Sequence, residues 1–418
     1  MSRQAFTDQG GLQISVVTES GSKPVENASV QVTPKSLPGN VIDEFITDIS
    51  GQTSEMMLPA PPLEYSMQPD GGQPYSEYDV QVEMDGYEPT LVEGVQIFPN
   101  TTAIQSIGLE PQKSSLNAPI NTIHIQEPVL WGVYPPKIPE DMVKELPPST
   151  GFVVLPHPVV PETVVVHNGA PSNASAQNYW VPFKNYIKNV ASCEIYSNWP
   201  ESTIRANILA ILSFTLNRVY TEWYRSKGYN FTITNSTAYD HAFTYGRNIF
   251  DEISIIVDDI FTSFITKPNI RQPLFAQYCD GKRSTCPNWM TQWGSKDLGD
   301  KGYSAIDILK NFYGSDVYLM QTEKVEGVPS SFSGTNLQMG SSGSDVRTIQ
   351  EQLNAVSNNY PAIKKMRVDG EFNDATREAV EKFQEIFRLP SSGIVDYPTW
   401  YKISEIYVGV TKMAELTN

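Results

Sequence analysis

The stretch FKNYIKNVASCEIYSNWPESTIRANILAILSFTL, Phe183 to Leu216, constrains this chain most, because it sets a carboxylate at the end of an apolar stripe. Phe183, Tyr186, Ile187, Val190 and Ala191 recur at helical spacing, and Glu194 follows Val190 by four positions and Ala191 by three. The spacing predicts a short amphipathic helix, a turn at Ser197-Asn198-Trp199-Pro200, and a second helix from about Glu201 to Tyr220. A carboxylate on the buried side of a helix is costly in its charged form, so its pKa rises. That is the state a general acid needs near neutral pH. A glutamate at a frayed helix end facing water fits the same pattern, and the spacing alone leaves both readings open.

The length of 418 residues predicts roughly two to four domains, each able to bury a core. Formal net charge is −17 and unevenly spread. Residues 1–112 hold 16 Asp and Glu against 3 Lys and Arg, a balance of −13, whereas 181–320 hold 13 against 14, a balance of +1. Concentrated acidity argues against nucleic acid as a partner. No run of 18 apolar residues occurs, so no membrane span is expected. The start, MSRQAFTDQGG, lacks the apolar region of a standard secretory signal peptide. Cys193, Cys279 and Cys286 are too few for a disulfide scaffold.

Residues 10–112 read as all-β. LQISVVTE, ASVQVTP, YDVQVEM and TTAIQSIGL alternate apolar and polar positions, separated by turn clusters such as Glu19-Ser20-Gly21-Ser22, Pro69-Asp70-Gly71-Gly72 and Asp85-Gly86-Tyr87. The succession Pro24-Val25-Glu26-Asn27-Ala28, Thr47-Asp48-Ile49-Ser50-Gly51 and MDGYEP resembles the carboxypeptidase regulatory-like, transthyretin-like sandwich family. That resemblance implies a β-sandwich over 1–112 without chemistry of its own, serving as a folding or shielding pro-domain. Residues 113–178 are rich in Pro, Ser, Asn and Val and predict an extended linker, open to an activating protease. His124, His157 and His167 are scattered there without metal-ligand spacing.

The central region, 179–328, resembles the stage II sporulation protein D family of lytic transglycosylases. YIKNVASCEIYSNWPESTIRANILAILSFTL follows the family's motif in ungapped register, with Glu194 on the catalytic glutamate, Trp199-Pro200 on its Trp-Pro pair and Arg205-Ala206-Asn207 on its Lys-Ala-Gln. DEISIIVDDIFTSFITKPNIRQPLFAQYCDG and MTQWGSKDLGDKGYSAIDILKNFYG follow two later motifs in order. The resemblance implies an α+β catalytic domain needing no cofactor, with Glu194 as acid/base. It also implies Arg205, Tyr278, Gln292 and Tyr303 as candidates to hold the N-acetyl and muramyl groups. Two departures are visible: Leu212 replaces the family's Arg, and Thr285-Cys286-Pro287 replaces its Gly-His-Gly. Cys279 and Cys286 are open to three states: a small disulfide loop, two ligands of a zinc site with His241 as the only ring nearby in sequence, or free thiols. Cys193 reads as a small core residue.

Residues 335–410 resemble the peptidoglycan-binding-domain-1 family. LQMGSSGSDV precedes IQEQLNAV, VDGEFN precedes TREAVEKFQEIF, and SGIVDYPTWYKI follows. This implies a three-helix module, with Asn373 or Asp374 capping the second helix and Val380, Phe383 and Phe387 on its buried stripe. The whole arrangement resembles the spore cortex-lytic enzymes: a multidomain precursor at the spore cortex or cell wall, cut at germination, that cleaves peptidoglycan glycan strands. A catalytically silent wall-binding scaffold and an N-acetylmuramoyl-L-alanine amidase are the competing readings.

Overall fold

The computed structural model describes residues 7–18, 23–112, 120–146 and 157–416, with the side chains of 412–416 excepted. The turn at 19–22 and the outer parts of the 113–178 connection, 113–119 and 147–156, lie outside the described residues, as do residues 1–6.

Strands β1 (Asp8–Thr18), β2 (Ser29–Pro34), β3 (Asp43–Ile46) and β4 (Met56–Ala60) lead to a one-turn helix, α1 (Glu64–Met67). Then come β5 (Ser76–Glu83), β6 (Thr90–Ile97), β7 (Thr102–Leu109) and β8 (Asn121–His124). In β2 and β5, Val30, Val32, Tyr78, Val80 and Val82 are buried while their neighbours are partly exposed, the period of a strand with one face in a core. The Thr47–Gly51 turn needs its glycine. Gly51 has φ +72, and a Cβ there would lie 2.3 Å from the Val16 carbonyl oxygen.

Further on, β9 (Val159–Val160), β10 (Thr163–His167) and β11 (Asn178–Pro182) lead into α2 (Phe183–Glu194) and α3 (Glu201–Tyr220). The central region continues through β12 (Ile233–Thr234), β13 (Ile249–Phe250), α4 (Asp251–Ile260), β14 (Ser263–Thr266), β15 (Tyr278–Cys279) and β16 (Met290–Thr291). It closes with α5 (Gln292–Asp300), α6 (Ala305–Tyr313), β17 (Tyr318–Gln321) and β18 (Lys324–Val325). From Thr203 to Arg218 nearly every α3 side chain is buried, so α3 is enclosed on all sides rather than on one face. It forms the hub against which α2, α4, α5, α6 and β14 pack.

Two N-terminal sheets have the orders β13-β7-β1-β4 and β3-β2-β5-β6-β8. Both recruit strands from outside residues 1–112: β13 pairs antiparallel with β7, and β8 runs parallel to β6. The interface is polar as well as apolar. Gln96 N–H donates to Asn248 Oδ1 at 3.2 Å, Arg247 Nη2 donates to Gln96 Oε1 at 2.9 Å, and Phe98 packs on Tyr196 and Phe250. The described part of the 113–178 connection therefore differs from free extended chain. Its prolines keep it extended, but its backbone groups are taken up by neighbouring strands and by side chains of the central region.

The C-terminal module comprises α7 (Ser344–Val356), α8 (Asp374–Ile386) and α9 (Tyr397–Leu416). Asn373 caps α8, its side chain accepting from Thr376 N–H at 3.2 Å. Two buried glutamines organise its loops. Gln350 Oε1 accepts from the N–H of Asp369 and Gly370, and Gln384 Oε1 accepts from Gly393 N–H. The module docks on the central region through buried charge. Lys184 and Lys188, four apart on α2, both meet Asp258 of α4, at 3.1 and 2.6 Å, and Lys184 also meets Glu405 of α9 at 2.7 Å. Arg388 bonds Asp251 at 2.8 Å, and Gln52 Nε2 donates to Ile386 O at 2.7 Å. The C-terminal module thus touches both other parts.

Candidate functional site

Glu194 is the last residue of α2, where the chain turns extended at Ile195. The side chain is 1% exposed, which decides between the two sequence readings in favour of the buried acid. Oε1 accepts from Ala242 N–H at 2.7 Å, while Oε2 has no hydrogen-bond partner. Burial pushes this carboxyl above the ordinary carboxylate range, opposed by the Lys137 ammonium, the Tyr278 hydroxyl and the Ala242 N–H. The partial negative charge of a helix C-terminus acts in the same direction as burial. Tyr278, in β15 and buried, faces the carboxylate closely enough to interact with it, yet outside ordinary hydrogen-bond geometry.

Gln292, at the start of α5, is also brought to this place, but by its donor end. Its Nε2 donates to the backbone carbonyl of Glu194 at 2.8 Å and its buried Oε1 is unpartnered. That makes it a positioning residue for the acid. Arg205 and Tyr303 lie apart from it. Arg205 sits on the outer side of α3, bonded to Glu201 at 2.7 Å and Asp259 at 2.6 Å. Tyr303 is 46% exposed in the connection between α5 and α6. Cys279 and Cys286 are joined in a disulfide with Cα atoms 5.8 Å apart, so neither has a thiolate to offer a metal. Among the described residues no group of three His, Cys, Asp or Glu side chains is placed to hold a metal ion.

Three residues of the site were not legible as such in the sequence. His241 is buried, bonded through Nδ1 to Tyr186 Oη at 3.0 Å and flanked by the rings of Phe214 and Tyr278, with Nε2 unpartnered. Burial first, then Lys137 and Arg218, hold it well below the usual histidine range, so the ring is neutral. Asp240 is fully occupied: Arg218 Nε bonds Oδ1 at 2.8 Å, and Tyr224 Oη, Thr234 N and Thr234 Oγ1 all donate to Oδ2. Lys137 comes from the connection. Its ammonium donates to Asp240 O, lies 5.0 Å from the Tyr278 ring centroid, and feels the charge of Glu194.

Lys137 belongs to a run that crosses the site from one side to the other. Val129 N–H donates to Cys193 O at 2.8 Å, and Ile138 N–H to Ala238 O at 2.7 Å. The amides of Gln277 and Gln272 each clasp this backbone twice. Gln277 accepts from Glu140 N–H and donates to Ile138 O, while Gln272 accepts from Lys144 N–H and donates to Lys144 O. Arg283, inside the disulfide loop, donates to the carbonyls of Trp131 and Gly132.

Comparison with known proteins bears on the C-terminal module. Residues 342–403 match the family described as "Putative peptidoglycan binding domain". A search of curated proteins found no match. Among solved structures, the chain is similar to the SleB N-terminal domain at 34% identity, covering 18% of this chain and 93% of that one with a TM-score of 0.16. Similarity to Acinetobacter sp. ADP1 catechol 1,2-dioxygenase is 12% in identity, covers 29% and 60% of the two chains, and has a TM-score of 0.19. For Klebsiella pneumoniae 5-hydroxyisourate hydrolase the values are 12%, 25% and 92%, with 0.16. These structural likenesses are too low in TM-score to bear on the site. The family match supports peptidoglycan as the partner of the C-terminal module and the chain as a cell-wall-related protein.

Proposed function

We propose that this chain is a lytic transglycosylase of peptidoglycan, acting on spore cortex and made as a precursor that proteolysis in 113–178 activates at germination. The observation that carries the proposal is Glu194: a buried carboxyl, raised in pKa, with one oxygen fixed by Ala242 N–H and the other without a hydrogen-bond partner. Protonated, Glu194 would give its proton to the oxygen of the β-1,4 bond between N-acetylmuramic acid and N-acetylglucosamine as the muramic C1–O bond breaks. The resulting carboxylate would then take the proton of the muramic C6 hydroxyl while O6 bonds C1, closing a 1,6-anhydro ring. One group that alternates between acid and base suffices if its pKa lies near working pH.

Ordinary glycosidases require a second carboxylate, and the other acid at Lys137 among the described residues is already engaged. Asp240, the other acid facing Lys137, has both oxygens engaged by Arg218, Tyr224 and Thr234 and is not free to take up water. The precursor reading is supported by the crossing run: Glu194 is 1% exposed and Lys137 of the run feels its charge, so the acid is covered in this form. That cover also favours a second reading, a wall-binding scaffold whose acid never acts. Incubating cut protein with cortex peptidoglycan and weighing the fragments separates them. Anhydro-muramic ends that vanish in Glu194→Gln support the transglycosylase; intact strands at full binding support the scaffold.

A further inference from the structure

The run that crosses the site also carries a carboxylate, Glu140, against the buried side chain of Arg218. Glu140 meets Arg218 through two parallel bonds, Nη2 to Oε1 at 2.7 Å and Nη1 to Oε2 at 3.1 Å. Arg218, near the end of α3, has a fully buried side chain. Its orientation does not depend on Glu140. Nε bonds Asp240 at 2.8 Å, Nη2 also bonds Tyr239 O at 3.2 Å, and the guanidinium lies 4.1 Å from the Phe275 ring centroid and 4.9 Å from that of Trp223. All of these partners belong to the central region, so the fork is held in place by contacts that do not come from the run.

Glu140 takes Lys144 Nζ at 2.8 Å as well as the Arg218 fork. Asp240 neutralises one side of Arg218, yet two N–H groups still point at Glu140 from inside the protein, and buried donors are costly when unpaired. A fork of this shape matches a carboxylate bidentately. Its place relative to the acid is set by a short link. Asp240 holds Arg218 and Ala242 N–H holds Glu194, so the two fixtures are joined by two residues, at most about 7 Å of backbone.

We infer that Arg218 is a carboxylate subsite for the muramyl end of the glycan, filled in the precursor by Glu140 as a stand-in. This rests on the transglycosylase reading for the identity of the ligand, and it names the recognised group as the free lactyl acid of muramic acid or a carboxylate of its peptide stem. Glu140 occupies the subsite while Lys137 sits at the acid, so one run of chain blocks both positions. A strand whose muramic residues carry neutral groups at that position would be a poor substrate.

The full-length Lys137→Gln/Glu140→Gln chain, which lacks the two charges that face Glu194 and Arg218, is titrated with three probes and followed by calorimetry and by arginine side-chain 15N shifts. The probes are N-acetylmuramic acid, N-acetylmuramyl-L-alanine and N-acetylmuramyl-L-alanine amide. At least one acid binds tenfold or more tightly than the amide and moves the Arg218 shift; which acid does so tells lactyl from stem recognition. Arg218→Lys in the same background removes the preference, and wild type shows none of it because Glu140 fills the subsite. Equal binding of acid and amide, binding to wild type as strong as to the variant, or no binding at all would overturn the inference. So would an unmoved Arg218 shift, which can be read even if Arg218→Lys does not fold. The titrations release no product and persist in Glu194→Gln, so they stand or fall separately from the cleavage reading.

Discussion

Glu405 gives the sharpest stability prediction, because a single carboxylate of the wall-binding module is held by lysines of the central region. It lies 2.7 Å from Lys184, which also meets Asp258, and Lys402 lies 3.1 Å away. Burial opposes its ionisation, but Lys184 and then Lys402 and Lys188 override burial and bring its pKa from 4.5 down to about 2. At ~1.4 kcal/mol per tenfold in acidity, that shift corresponds to about 3 kcal/mol of stabilisation. The sign follows from the depressed folded value. The contribution is fully present above pH 4.5, declines as the pH falls, and is gone once the pH has passed through about 2. Glu405→Gln keeps the shape and removes the charge, leaving Lys184 with one acid instead of two. Urea melts of wild type and variant at pH 7 should differ by about 3 kcal/mol, and the difference should shrink steadily in melts taken between pH 4.5 and 2.5. An equal difference at both ends of that range would show that the loss is one of packing, and the electrostatic account of the docking would be wrong.

Three further outcomes follow from named contacts. Lys137→Gln in the uncut chain should raise its basal release of glycan fragments several-fold, measured against the same chain after cutting, because the ammonium no longer occupies the place beside Glu194. Replacing both Cys279 and Cys286 by Ser should cost about 2 kcal/mol of stability in melts, and should quicken proteolysis near Trp131 and Gly132, which Arg283 holds from within that loop. Gln350→Ala strips hydrogen bonds from Asp369, Gly370, Glu371 and Thr376 at once, so the C-terminal module should lose about 3 kcal/mol and sediment less with peptidoglycan.

Periodicity and capping were the legible part of this chain. The stripe ending at Glu194, the break at Pro200 and the long second helix are local signals, and α2 and α3 occur with those bounds. The alternation of β2 and β5 and the Asn373 cap are local in the same sense. What did not show was long-range pairing. Nothing in Asn121–His124 distinguishes a linker from a strand that adds to β6, since an extended Pro-rich segment suits either. Lys137 and Glu140 look like ordinary linker charges until Asp240 and Arg218, distant in sequence, are set against them. His241 is the ring nearest the cysteines in sequence, but its neutral, ring-flanked setting depends on Tyr186, Phe214 and Tyr278 from three separate elements. Register alone points to Arg205, and register does not say that its face of α3 turns toward Glu201 and Asp259.

The central claim is that one carboxylate cleaves the glycan by passing a proton through the muramic C6 hydroxyl, without water entering the bond. Digesting cortex peptidoglycan with the cut protein in water enriched in 18O measures this directly. The account predicts muramic products one water lighter than reducing sugars, free of 18O, and absent with Glu194→Gln. Reducing ends labelled with 18O at C1 would contradict it, for they would mean that a hydrolase carries out the cleavage.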